Sequence, residues 1–222
     1  MEPRSRYSLI QWHKVLDSTN NEAKRAFGAL DNMSVIAAVL QTAGRGRGSH
    51  SWVSAEGENL TFSLVMKFRE GMLPASEAVR ITHLATVSVC DLLLEEEVEP
   101  RIKWPNDIWV EDRKISGMLI ENSFSGTSVS GSIIGVGLNL NQKQFDPFLP
   151  NPTSLTLLTG RKYSPESTLD RLYELFCRRA PMLEGADGRA RLELEFSKRM
   201  FVLEKTGQDR INDAIDSFEA QK

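Results

Sequence analysis

Residues 41–52, QTAGRGRGSHSW, set Arg45 and Arg47 among Gly44, Gly46 and Gly48, in a stretch with little to bury. Two planar guanidinium forks on a backbone that tolerates close approach suit a phosphate or a carboxylate. The glycine amides can add a concave array of donors. The same composition also suits a surface loop with solvated arginines. Two common nucleotide fingerprints are excluded. The pattern G-x-G-x-x-G needs glycine where Ser49 stands, and the phosphate loop must end in Gly-Lys followed by Ser or Thr, which is absent.

Three further stretches carry chemistry-bearing residues. In KWPND, residues 103–107, Pro105 fixes its own backbone and biases Trp104 toward an extended conformation. Lys103, Asn106 and Asp107 then project from a stiff corner, which also reads as a plain hairpin turn. In DRKISGMLIE, Lys114 opens an apolar strand, a position where lysine often guards a sheet edge. Gly117 weakens that strand unless something approaches its backbone. In GVGLNLN, strand alternation puts Gly135, Gly137 and Asn139 on one face, a bare strip ending in an amide that can receive a flat ring. His13, His50 and His83 have no metal-ligand spacing, neither H-E-x-x-H nor G-x-S-x-G occurs, and the three histidines are read as structural or surface residues.

These residues need elements to hold them. SLIQWHKVL has strand character, and DSTN supplies cap residues for a helix bearing Ala23, Ala26, Phe27 and Leu30. SVIAAVLQ and NLTFSLVMKF read as core strands, the second with Leu60, Phe62, Leu64 and Met66 on one face. The Gly/Arg segment joins them. A long core helix follows, its stripe predicted as Val79, Leu84, Val87, Cys90, Leu93 and Leu94. RIKWPNDIWV, KISGMLIENSF and SVSGSIIGVGLNLN then read as three strands of an antiparallel meander. Beyond Ser164 the pattern is helical, with Leu169, Leu172, Leu175 and Phe176 in one segment and Leu192, Leu194, Phe196 and Met200 in another. The predicted order β-α-β-β-α-β-β-β followed by helices is a mixed α+β domain with helices on a largely antiparallel sheet.

With 222 residues, 41% hydrophobic and 26% charged, the chain has room for one substantial globular domain and a small appendage. A formal charge of -3 argues against general coating of nucleic acid, so any positive site is local. No signal peptide and no run of roughly 18 apolar residues is present, which makes a cytoplasmic protein the expectation, without membrane partners. Cys90 and Cys177 have no pairing spacing and are read as reduced core residues.

Taken in order, DSTN, QTAGRGRGSHSW, KWPNDIWVEDRKISGMLIE and GVGLNLN resemble the biotin-protein ligases, over roughly residues 8 to 160. The resemblance implies a fold shared with lipoate ligases and related to class II aminoacyl-tRNA synthetases. It implies ATP- and Mg²⁺-dependent formation of biotinyl-5'-AMP from biotin, then transfer to one lysine of a biotin carboxyl carrier domain of a biotin-dependent carboxylase. By motif position, Ser18, Thr19 and Gln41 would hold the biotin ureido ring, and Asn20 and Gly117 would also bind biotin. Arg45, Gly46 and Arg47 would wrap carboxylate and phosphate, and Lys114 would bridge them. Trp52, Lys103, Asn106 and Asn139 would meet the nucleotide, and Asp107 would bind metal or deprotonate the acceptor lysine. NPTSL, residues 151–155, resembles a family segment near the adenylate.

The resemblance also sets contrasts. Gly48, Ser49 and His50 stand where the family often has further basic residues. A catalytic domain over 1–205 is expected, with 206–222 at most the opening of a C-terminal β-barrel, and no DNA-binding domain before Ser8. The Gly/Arg loop is expected to be mobile while empty and to close on an anion. A strand such as 127–138 is expected at an edge, where it would serve a homodimer or carrier docking by strand addition. The alternatives are a lipoate-type protein ligase and a non-enzymatic biotin or biotinyl-adenylate binding module.

Overall fold

The computed structural model describes residues 9–48, 50–149 and 151–201. The elements are β1 (Ile10–Leu16), α1 (Thr19–Ala26), β2 (Val35–Gln41), β3 (Leu60–Lys67), α2 (Val79–Glu95), β4 (Arg101–Lys103), β5 (Asp107–Val110), β6 (Arg113–Ser125), β7 (Ser128–Leu138), α3 (Leu155–Thr159), α4 (Pro165–Arg179) and α5 (Ala186–Arg199). The strands form one seven-stranded sheet in the order β1-β2-β3-β7-β6-β5-β4. Only β1 and β2 pair in parallel; every other neighbour is antiparallel.

Alternation decides what each face of the sheet does. On β3 and β7, Leu60, Phe62, Leu64, Met66, Ile134, Val136 and Leu138 belong to one large buried cluster with residues of α2, α4 and α5. Phe62 meets Phe176 of α4 edge to face, centroids 6.3 Å apart. Burying one such side chain contributes about 1.5–3 kcal/mol of transfer free energy. The intervening residues face the other way. There α1 buries Ala23 against Ile36, Val65 and Ile133 in a smaller core, while Gly135 and Gly137 bring no side chain of their own and admit Asn20 and Trp52 against the sheet. The second face is thus apolar at one end and open at the other.

Several helix ends follow their residues. Ser154 caps α3 by accepting from the Leu157 amide, and Gly160 closes it in the left-handed conformation. Ser164 caps α4, with Pro165 in its first turn.

The α+β reading, the largely antiparallel sheet and the Leu60–Met66 face agree with the sequence expectations. Four expectations are corrected. RIKWPNDIWV is two strands, because Trp104, Pro105 and Asn106 form the turn of the β4–β5 hairpin. The strand at 127–138 is not an edge, since β7 pairs with β3 on one side and β6 on the other, and the sheet's outer strands are β1 and β4. The α2 stripe shifts: Val79 and Leu94 are exposed, whereas Ile81, Ala85, Val89 and Leu92 are buried. Strands β5 and β6 and helices α4 and α5 all pack on this helix, so its buried arc is wider than a simple stripe. Leu194 of α5 and Cys177 of α4 are likewise exposed, while Cys90 is buried and burial pushes its thiol up to about 12. No helix among the described residues is long and apolar enough to cross a membrane. The stretch 206–222 lies outside the described residues.

Candidate active site

The open end of the second face is a cavity of about 280 Å³. Its floor is the β6–β7 ladder, where Gly117 pairs with Gly137 and Leu119 with Gly135. These glycines are required by what lies on them. A Cβ at Gly135 would strike the Asn20 carboxamide, and one at Gly137 would strike the Trp52 indole. At Gly117 it would lie 3.2 Å from both Lys114 Nζ and the Trp52 ring. The flat ring on the bare strip is therefore the protein's own tryptophan.

One end of the cavity is built from hydroxyls and amides at the start of α1. Ser18, Thr19 and Asn20 are buried there, with Gln41 at the end of β2 beside them. The Thr19 amide donates to Gln41 Oε1 at 2.7 Å. Asn20 Nδ2 donates to the Leu119 carbonyl at 3.2 Å and to Glu121 Oε2 at 3.0 Å. The Ser63 hydroxyl sits 2.6 Å from Asn20 Oδ1 and 2.8 Å from Thr19 Oγ1. Ser18 stands at the helix cap position without a side-chain cap bond, so its hydroxyl is left for the cavity. Asp17, just before it, is held well below the usual carboxylate range by hydrogen bonds from Arg25 and Asn21.

The other end is cationic. Arg45 and Arg47 come from the Gly/Arg segment, Lys103 and Asp107 from the β4–β5 hairpin, and Lys114 from β6. Lys114 Nζ lies 2.8 Å from Asp107 Oδ2 and 5.9 Å from the centre of the Trp52 ring. Lys103 Nζ sits over Trp109 at 4.2 Å. Arg45 reaches Glu121 with both terminal nitrogens, at 3.1 and 3.2 Å. Among the described residues Arg47 forms no ion pair. Asn106 lines the cavity but donates its side-chain amide to the Met118 carbonyl at 2.5 Å, which fastens the hairpin turn to β6.

A second cavity, of about 360 Å³, adjoins the first. Both are walled by Trp52, Lys103, Asp107 and Lys114, and by His50 and Ser51. The second adds Trp109, Phe145, Leu149, Pro152 and Asn139, a mainly apolar slot with one amide. Asn139 donates to the Thr153 carbonyl at 2.9 Å. The 151–153 segment pairs with the start of β6, through Lys114 N to Asn151 O at 2.7 Å and Thr153 N to Lys114 O at 2.9 Å.

The sequence-predicted residues thus fall into one neighbourhood with a finer division. Ser18, Thr19, Asn20, Gln41, Arg45, Gly46, Arg47, Asn106 and Gly117 line the first cavity only, Asn139 the second only, and Trp52, Lys103, Asp107 and Lys114 both. The Gly/Arg segment is a small hairpin: Gly46 N donates to His50 O at 2.8 Å and Trp52 N to Gly44 O at 3.0 Å. Gly48 turns it with φ of 60°. The amide of Gly46 is committed inside the loop, so no open array of three glycine donors forms.

Sequence reasoning missed Glu121, Ser63 and His50. Glu121 shares the cavity face with Gly117 and Leu119 by strand alternation, and Ser63 is a polar residue inside an apolar strand; both signals were present. Burial alone would raise the Glu121 carboxyl, but hydrogen bonds from Asn20 and Arg45 and the charges of Arg45 and Lys24 outweigh it and hold it low.

Residues 12–139 match the family model described as the biotin/lipoate A/B protein ligase family. The chain belongs to that family. It is 34% identical over 166 residues to the biotin–[acetyl-CoA-carboxylase] ligase of Paracoccus denitrificans, covering 73% of this chain and 69% of that one. It is 33% identical over 175 residues to the bifunctional ligase/repressor BirA of Bacillus subtilis, covering 76% of this chain but only 52% of that protein. Among solved structures, the biotin protein ligase from Aquifex aeolicus in complex with biotin and ATP superimposes with a TM-score of 0.73 at 26% identity, covering 87% of this chain and 79% of that one. The glycine floor, the polar end at the start of α1 and the cationic end all lie within the matched span of this ligase-family chain.

Proposed function

We propose that this chain activates biotin with MgATP as biotinyl-5'-AMP and passes the biotinyl group to one lysine of a biotin carboxyl carrier domain, as a cytoplasmic enzyme. One observation carries the reading: a strip of glycines, with Asn20 packed on one end and the Trp52 ring on the other, runs from buried amides and hydroxyls to an end where cations outnumber carboxylates. A cyclic urea with an anionic tail has that polarity. Ser18, Thr19, Asn20 and Gln41 take the ureido group, and the alkyl chain runs from there toward Lys114 over the Trp52 ring that covers Gly117 and Gly137. ATP enters the slot bearing Asn139 and Trp109, with its phosphates toward Lys103, Lys114 and Arg47.

In the first step a carboxylate oxygen of biotin attacks the α-phosphorus, and pyrophosphate leaves with the electron pair of the broken P–O bond. Both partners are anions, and the cations at 45, 47 and 114 lower their repulsion and stabilise the charge that grows at phosphorus. In the second step an unprotonated lysine amine of the carrier attacks the acyl carbon, AMP departs, and the proton goes to a base. Asp107 is the carboxylate that lines both cavities, and its pairing with Lys114 loosens as Lys114 turns to the incoming anions. Among the described residues no group of three His, Cys, Asp or Glu gathers to hold a metal ion. Asp107, which lines both cavities, is the carboxylate that would help hold a Mg²⁺ brought in with the triphosphate, and the ion would supply charge neutralisation there.

The test is biotin-dependent exchange of pyrophosphate into ATP. Exchange that requires biotin is expected; exchange absent with biotin, or driven equally by lipoate, would refute the reading. A lipoate-type ligase is disfavoured by the buried amides and hydroxyls at the closed end, which an apolar acyl head would leave unpaired.

A further inference from the structure

We propose that Glu121 is a positioning residue that ties the cationic hairpin to the polar end of the cavity. The inference rests on the biotin-activating reading for its kinetic consequence, but not for its geometry. Glu121 sits on β6 with its carboxylate beside the cavity, and it joins β6, α1 and the hairpin through one carboxylate. Its Oε2 accepts from Asn20 of α1 at 3.0 Å and from Arg45 of the hairpin at 3.1 Å, while Oε1 accepts from Arg45 at 3.2 Å. Lys24, one turn further along α1, stands 3.9 Å away. Arg45 also donates to Asn21 Oδ1 at 3.1 Å, and its backbone bridges Ser51 across the hairpin.

Partly exposed ion pairs contribute little to global stability, so the worth of this one lies in orientation. A two-pronged contact fixes the plane and the angle of a guanidinium, which a single contact does not. With Glu121 in place, Arg45 holds the hairpin over the cavity, and Asn20 keeps its Oδ1 toward Ser63 and its Nδ2 toward β6. Removing the charge frees Arg45 to swing into solvent and lets the hairpin open. A glycine-rich loop released in this way regains conformational entropy, which favours the open state.

Glu121→Gln separates the two tasks, because a glutamine oxygen still accepts from Asn20 whereas the charge and the second contact that fix the plane of Arg45 are lost. In the free protein, amide hydrogen exchange at Gly46 and Trp52, whose N–H groups close the hairpin, should speed up about tenfold in Glu121→Gln and in Arg45→Ala alike. In pyrophosphate exchange, Glu121→Gln should lower kcat about tenfold with little change in the KM for biotin, as misplacement of a charge near the reacting atoms does. The double variant should be no worse than Arg45→Ala alone, since Glu121 acts through Arg45. Unchanged hairpin exchange in Glu121→Gln, or kinetic losses that multiply in the double variant, would overturn the proposal. A parent protein without biotin-dependent exchange would refute the ligase reading instead, and the amide measurement would still decide the role of Glu121.

Discussion

Two charge clusters sit on opposite faces of the sheet, and they are built to different rules. In the helical layer, Asp91 of α2 accepts from Arg179 and, at 3.0 Å, from Arg199, while Glu195 accepts from Arg179 at 2.7 Å. Two cations meet two carboxylates, with side chains 13% to 27% exposed, and no charge is left over. Around the cavity, Arg45, Arg47, Lys103 and Lys114 are matched only by Asp107 and, behind them, Glu121. A balanced cluster holds helices together. An unbalanced one in a concavity waits for an anion.

The sharpest way to break this contrast is to remove a cation from the unbalanced side. Lys114→Ala should cut biotin-dependent pyrophosphate exchange by about 10²- to 10³-fold, the usual cost of losing one transition-state stabiliser, with the melting temperature nearly unchanged. Exchange at the parental rate would remove Lys114 from the chemistry. Next comes the floor. Gly137→Ala forces the Trp52 ring off the ladder, and overpacking of this kind costs about 1–3 kcal/mol. Biotin binding, followed by calorimetry, should weaken about tenfold or more; unchanged affinity would mean that Trp52 relocates without consequence.

On the balanced side the prediction reverses. Arg179→Ala should destabilise the protein by about 2 kcal/mol, because two carboxylates lose a donor, yet leave exchange kinetics alone. A drop in kcat without a drop in melting temperature would contradict the division. The smallest expected effect is one of pH. Burial, reinforced by the charge of Arg80, lowers His83 to about 4, against Glu193. The unfolded histidine titrates near 6.5, so the unfolded chain binds more protons between those values. The contribution is complete above about 6.5 and is lost as pH falls toward about 4. His83→Phe, which preserves the stacking on Phe196, should flatten that part of the melting-temperature curve; an unaltered slope would assign the acid loss elsewhere.

The sequence made the helical face legible because alternation and helical spacing report burial directly, as Leu60, Phe62, Leu64 and Met66 did. It made the cavity legible through the joint order of the motifs that hold Arg45, Asp107 and Lys114, since each motif alone also suits a loop, a turn or a sheet edge. It did not reveal that Gly46 donates within its own hairpin, since glycine permits many conformations and specifies none. Nor did it reveal the position of β7 inside the sheet, because strand order depends on pairings between segments far apart in the chain. Alternation placed Glu121 on the face of Gly117 and Leu119, but its pairing with Arg45 depends on segments far apart in the chain and was not legible.

The β6–β7 ladder also works as a ruler. Asn20 rests at the Gly135–Leu119 rung and Lys114 Nζ at the Gly137–Gly117 rung, two residues along the strands. Strand pitch makes that step about 7 Å, a length fixed by backbone geometry rather than by any side chain. An acid whose tail is shortened or lengthened by two methylenes would leave its carboxylate short of Lys114 or past it, whatever the fit of its ring.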